Sequence, residues 1–112
     1  MPILMEEMND VLIIIADLKR ATITDTNIFK YKVLTEINKG RTKFIFNLGA
    51  CEFIDSTLLS ALVTSYKRIV EKKGQLKLVG VNPVGRSMFE LTSLSKIFEI
   101  YDNLEKALMD FS

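Results

Sequence analysis

Hydrophobic and polar positions along the chain switch between two periods. Residues 11–16, VLIIIA, are β-branched and apolar without a break, as a strand covered on both faces would be. Residues 3–8 carry a weaker strand pattern, and Asn9-Asp10 between the two runs is a two-residue turn signal, which predicts an antiparallel hairpin. After the polar stretch DLKRATITD, Ile28, Phe29, Val33, Leu34 and Ile37 recur at helical spacing and Gly40 supplies a stop. The spacing predicts a helix over 25–39. TKFIFNL at 42–48 reads as a second core strand, Ser56 to Lys73 as a second helix stopped by Gly74, and QLKLVGV at 75–81 as a third core strand. Pro83 suits the first turn of a helix whose apolar face is Met88, Phe89 and Leu91. KIFEIY at 96–101 then reads as a strand, and Asp102-x-x-Glu105 as the capping box of a last helix.

The order is therefore ββαβαβαβα. Strands separated by single helices cannot pair through tight turns, so the core strands should run parallel under their helices, with the first hairpin strand as an antiparallel edge. The predicted fold class is α/β, a mixed, mainly parallel sheet with about four helices. In such a sheet functional groups gather beyond the carboxyl ends of the strands, where loops enter helix amino termini. Residues 49–57 occupy such a place. In the helix from Ser56, Leu59, Leu62, Val63, Tyr66, Ile69 and Val70 make a stripe at three- and four-residue steps. That phase puts Leu58, Ala61, Ser65, Arg68 and Lys72 on the outer side, with Leu58 exposed beside Ser56.

Composition narrows the function classes. A chain of 112 residues that is 48% hydrophobic and 26% charged suits one soluble globular domain with a single core. Lysine and arginine number 15 against 14 acidic residues, so no bulk charge draws the chain to nucleic acid or anionic lipid. Cys51 is the only cysteine, which removes an internal disulfide and agrees with a reducing compartment, the cytoplasm. The longest apolar run is too short to cross a bilayer, so no membrane insertion is expected.

The absence of histidine leaves Ser56 and Cys51 without the usual base for nucleophilic catalysis, and a zinc site without its commonest ligand. No phosphate-binding glycine motif occurs; GVNPVG at 80–85 reads as a strand-to-helix turn. Cys51, between Ala50 and Glu52 in a loop leading inward, reads as a small structural thiol. What remains is Asp55-Ser56-Thr57. Asp55 or Ser56 can cap the following helix, a role whose loss typically costs about 0.5–2 kcal/mol. A helix needs one cap, however, and three oxygen-bearing side chains stand here in a row at the functional edge of the sheet.

An apolar strand ending in Asn47-Leu48, the segment Phe53 to Thr57, Tyr66 to Ile69 in the helix, Gly74 before the next strand and an apolar run through Phe89, Leu91 and Ile97 together resemble the STAS domain of bacterial anti-sigma factor antagonists. The resemblance covers residues 11–108 in element order and implies a single STAS-like domain over 1–112. It implies a protein that is no enzyme and needs no cofactor or metal. Its expected partner is an anti-sigma factor that is also a serine kinase, with a separate phosphatase, and it makes no direct contact with nucleic acid; the oligomeric state is left open. The resemblance places the phosphoacceptor at Ser56, with Asp55, Thr57 and Leu58 as the surrounding surface. Two departures stand out. Leu58-Leu59-Ser60 replaces the Gly-Leu-Gly usual in the family, and Lys19, Arg20 and Ala21 occupy the loop where an acidic residue is common, with Asp17 and Asp25 displaced to either side.

Three other classes fit parts of the pattern. A STAS module without phosphorylation, serving a scaffold or transporter, differs from the first reading only in its partner. A receiver-like acceptor using Asp17 or Asp55 with Mg²⁺ and Lys96 needs clustered carboxylates, and a single Asp follows each of those strands. A small α/β enzyme would have to work without histidine or a nucleotide loop.

Overall fold

The computed structural model describes residues 3–17 and 22–111. Asn9 and Asp10 have φ of 51° and 65°. Two successive left-handed residues are what a two-residue type I′ turn demands, and Asn and Asp tolerate that region better than most side chains. The turn folds β1 (Ile3–Met8) back on β2 (Val11–Ala16), with Met8 opposite Val11 and Ile3 opposite Ala16. Three further strands, β3 (Lys43–Asn47), β4 (Gln75–Val79) and β5 (Glu99–Tyr101), add in parallel. The sheet runs straight through the order β1-β2-β3-β4-β5. Each crossover advances one strand in the same direction, so right-handed connections place α1 (Ile23–Asn38), α2 (Ser56–Glu71) and α3 (Pro83–Leu91) on one face. The short α4 (Leu104–Met109) lies on the other. The α/β class, the element order and the antiparallel edge strand are those predicted.

Alternation along the strands sorts the core into two layers. Leu12, Ile14, Phe44, Phe46, Leu76 and Leu78 meet Phe29, Val33, Leu62, Ile69 and Phe89 from the three crossover helices. Val11, Ile13, Ile45 and Val79 point the other way, under Ala107, Leu104, Leu108 and Phe111. β2 serves both layers, and this is why its sequence shows no polar break. Phe29 meets Phe46 edge-on at 5.1 Å, a geometry that adds about 0.5–1.5 kcal/mol to the burial of two rings.

Lys77 is the charged exception in the second layer. It is 2% exposed, and its ammonium donates to Glu99 at 2.7 Å and to the Tyr101 hydroxyl at 3.2 Å, beneath the ring of Phe111. The Tyr101 hydroxyl stands between Glu99 and Asp110 and can give its one proton to either. The bond from Lys77 holds the Glu99 carboxyl below its usual range, whereas burial and then the bond to Asp110 push the Tyr101 phenol up. This network ties the end of α4 to β4 and β5.

Several element ends differ from the sequence expectation. α1 begins at Ile23, not 25, because Thr22 is its cap: the Thr22 hydroxyl accepts from the Asp25 amide at 3.1 Å while the Asp25 carboxylate accepts from the Thr22 amide at 3.3 Å. Only Glu99–Tyr101 of the 96–101 run is strand, since Leu94–Lys96 forms a 3₁₀ turn and Phe98 tucks between Tyr66 and Phe89 at 5.3 and 5.5 Å. The cap of α4 is Asn103, bonded to the Lys106 amide at 2.9 Å, and not Asp102, which pairs with Arg86 at 3.1 Å. At the end of α2 the left-handed residue is Lys73, φ 60°, not Gly74. Gly74 is needed for space: a Cβ there would lie 2.5 Å from the Thr42 carbonyl oxygen.

Candidate functional site

The segment leading from β3 to α2 is fixed at both ends by backbone geometry. The Leu48 amide donates to the Val79 carbonyl at 2.9 Å, extending the β3–β4 ladder, and the Gly49 amide turns onto the Asn47 side chain at 2.9 Å. Gly80, φ 78°, lets the loop after β4 close onto this turn, where an added Cβ would sit 2.6 Å from the Gly49 nitrogen. Asn82 then holds two loops at once. Its oxygen caps α3 by accepting from the Gly85 amide at 2.7 Å, while its nitrogen donates to the Glu52 carbonyl at 3.1 Å. Gly80→Ala combines an unfavourable φ with this clash, and is expected to lower unfolding free energy by about 1–3 kcal/mol in a urea titration. No loss at all would mean the loops part readily.

On that platform the three polar residues take different tasks. Asp55 is the cap of α2, its carboxylate accepting from the Leu58 amide at 2.9 Å and its carbonyl from the Leu59 amide at 2.9 Å. Ser56 is the first helical residue and is exposed; Thr57 is half-buried. Capping accounts for Asp55 and leaves the Ser56 hydroxyl presented at the surface. Ser56, Thr57 and Ser60 line a groove of about 300 Å³ against Thr26, Asn27 and Lys30 of α1, floored by Ala61. Because the strand order never reverses, the sheet has no crevice at a switch point, and the site is an open surface feature.

Leu58 is not exposed. It is 0% accessible, and the buried arc of α2 is Leu58, Leu59, Ala61, Leu62, Ser65 and Ile69, while Val70, expected in the core, is 47% exposed. A stripe read against the sheet alone misses the second neighbour: α1 packs along the flank of α2, and Ala61 shares the groove with Thr26 and Lys30. The buried arc is therefore wider than one apolar stripe and includes a serine, whose hydroxyl is satisfied by the Ala61 carbonyl at 2.8 Å. Leu58 leaves the partner surface and joins the core.

Two apolar side chains are exposed beside the segment leading into α2: Phe53, which opens the Phe53 to Thr57 motif, and Val84, which no sequence pattern singled out. Phe53 is 52% exposed and Val84, at the start of α3, is 67% exposed. They rise from the two segments that Asn82 holds together, with Ile54 packed against Gly85 beneath them. An aromatic after Glu52 and a valine after Pro83 gave no periodic signal, since neither lies on a stripe that extends further.

Cys51 is 3% exposed with its thiol donating to the Ala16 carbonyl at 3.3 Å, a packed position like that expected. Asp17 is exposed, and Asp25 is engaged in the α1 cap; Lys19, Arg20 and Ala21 lie outside the described residues. Among the described residues no three His, Cys, Asp or Glu side chains converge as a metal site would require, and no helix is long and apolar enough to cross a membrane.

A straight five-stranded sheet with three crossover helices on one face is the STAS domain architecture, and the chain belongs to the STAS domain family, whose sequence profile matches residues 7–107. It is 33% identical over 102 residues to a candidate anti-sigma factor antagonist of Thermotoga maritima, covering 90% of this chain and 89% of that protein. A crystal structure of a candidate anti-sigma factor antagonist from Thermotoga maritima superposes with a TM-score of 0.90 at 31% identity, over 96% of this chain and 92% of that one. The phosphorylated form of the Bacillus cell fate determinant SpoIIAA shares the fold, with a TM-score of 0.73 at 18% identity over 96% of each chain.

Proposed function

We propose that this protein is an anti-sigma factor antagonist of the cytoplasm: it binds an anti-sigma factor that is also a serine kinase, and phosphorylation of Ser56 by that kinase ends the binding until a phosphatase restores it. The observation that carries the proposal is the division of labour at the start of α2, where Asp55 alone supplies the cap and the exposed Ser56 hydroxyl is left available. The binding surface comprises Asp55, Ser56 and Thr57 with Phe53 and Val84 as apolar anchors beside them. Unmodified, Ser56 enters such an interface as a small neutral group. A phosphate adds about −1.5 to −2 charges beside Asp55, and these must be desolvated for the interface to close. Affinity falls while the fold stays as it is. The chain itself catalyses nothing in this scheme.

The test begins with the kinase that co-purifies with the tagged protein. With ATP it should add one phosphate, located at Ser56 by mass spectrometry, and Ser56→Ala should abolish the addition. Phosphate on Thr57 in both wild type and Ser56→Ala would transfer the acceptor role to the neighbouring hydroxyl. Recovery of a transporter or a large scaffold, with no kinase and no phosphate, would favour an unmodified STAS interaction module instead.

A further inference from the structure

The groove in front of Ser56 has one ionisable side chain in its lining, Lys30. Thr26, Asn27 and Lys30 occupy positions i, i+1 and i+4 of α1 and so share the side of that helix turned to Ser56, Thr57 and Ser60 of α2. Lys30 is half-buried and forms no ion pair with the described residues; Lys32, Lys67, Lys72, Lys73 and Lys96 are also unpaired, but none of them lines this groove. The Asp55 carboxylate, next to Ser56, is committed to the Leu58 amide, and the Asp25 carboxylate of α1 to the Thr22 amide. The Thr26 hydroxyl is likewise taken, donating to the Thr22 carbonyl at 2.9 Å. A cation with no counter-ion among the described residues therefore stands in a recess of about 300 Å³ that also contains Ser56 and, besides Thr26, the hydroxyls of Thr57 and Ser60.

We infer that Lys30 is the counter-ion of the phosphorylated state: the phosphate carried by Ser56 turns into the α1–α2 groove and is held there by the Lys30 ammonium, with the Thr57 and Ser60 hydroxyls and the Asn27 amide as further donors. The inference rests on Ser56 being the modified residue. It answers how a dianion is tolerated next to Asp55 in the free protein, since the repulsion between two acidic groups is offset by a cation on the facing helix. It also makes the switch act on two charges at once. Modification adds negative charge at Ser56 and withdraws a positive charge at Lys30 from any partner that had used it.

The deciding experiment uses the full chain with phosphoserine encoded genetically at position 56, so that no kinase is needed. Phosphorus NMR follows the second ionisation of the phosphate, which lies near pH 6 for a free phosphoserine, in the wild-type background, in Lys30→Gln, in Lys30→Arg and in Lys67→Gln, a control on the exposed side of α2. A nearby cation favours the dianion, and for a solvent-accessible pair the midpoint should lie about 0.5 pH unit or more lower in the wild-type background than in Lys30→Gln. Lys30→Arg should keep the low midpoint and Lys67→Gln should leave it unchanged. A Lys30→Gln curve that superposes on the wild-type curve, or an equal shift in Lys67→Gln, would overturn the inference. Failure of the switch itself is seen separately, as absence of phosphate on Ser56 after incubation with the co-purifying kinase.

Discussion

Leu58→Ala should lower the free energy of unfolding by about 2–5 kcal/mol, the range for truncating a leucine in a packed core. Leu58 is 0% exposed and sits in the first turn of α2, where its amide is also the donor to Asp55. Removing the side chain leaves a void in the core layer between the sheet and the crossover helices, to which Leu58 belongs. The cost depends on how far the surrounding side chains can collapse into it. A urea titration should show the midpoint falling with the slope unchanged, which marks lost stability without a change in the surface exposed on unfolding. A loss below about 1 kcal/mol would place the side chain outside the close-packed interior.

The same residue shows how far the sequence could be read. Strand content and order were legible because the β2, β3 and β4 runs carry apolar residues on both faces and each helix between them is long enough for a 3.6-residue repeat to emerge. The hairpin was legible from Asn9-Asp10 between two strand-like runs, since few pairs accept two positive φ values. What was not legible depended on a second neighbour. An apolar stripe marks one receiving surface, whereas the sheet and α1 both receive α2, and small residues such as Ala61 and Ser65 are buried for the closeness they permit and not for their hydrophobicity. Thr22-x-x-Asp25 has the three-residue spacing of a capping box, but it precedes the apolar repeat that marks α1, whereas Asn103 and Asp102 adjoin and spacing alone does not choose between them. Lys30 was invisible for a related reason. It is one of many lysines on a helix face until α2 is laid beside it and the groove forms.

Ser56→Asp should reduce affinity for the proposed anti-sigma factor partner by about 10-fold or more, the equivalent of about 1.4 kcal/mol, while leaving the melting temperature of the free protein within a degree or two of wild type or slightly raised. The stability side follows from position. Asp55 already caps the helix, so the substitution removes no cap, and an additional carboxylate in the first turn of a helix is favourable by about 0.3–1 kcal/mol. The binding side follows from charge. A carboxylate at 56 brings an anion beside Asp55, and an interface closing over both must strip water from two like charges that only Lys30 opposes among the residues of the groove. Ser56→Asn separates charge from size, because Asn has nearly the same shape as Asp and no charge; calorimetry should find its affinity much nearer to wild type. If Asn and Asp weaken binding equally, bulk at the first turn and not charge controls the contact, and the electrostatic account of the switch fails. If neither weakens it, Ser56 and the groove it lines lie outside the interface, and the partner contact must be sought on another face.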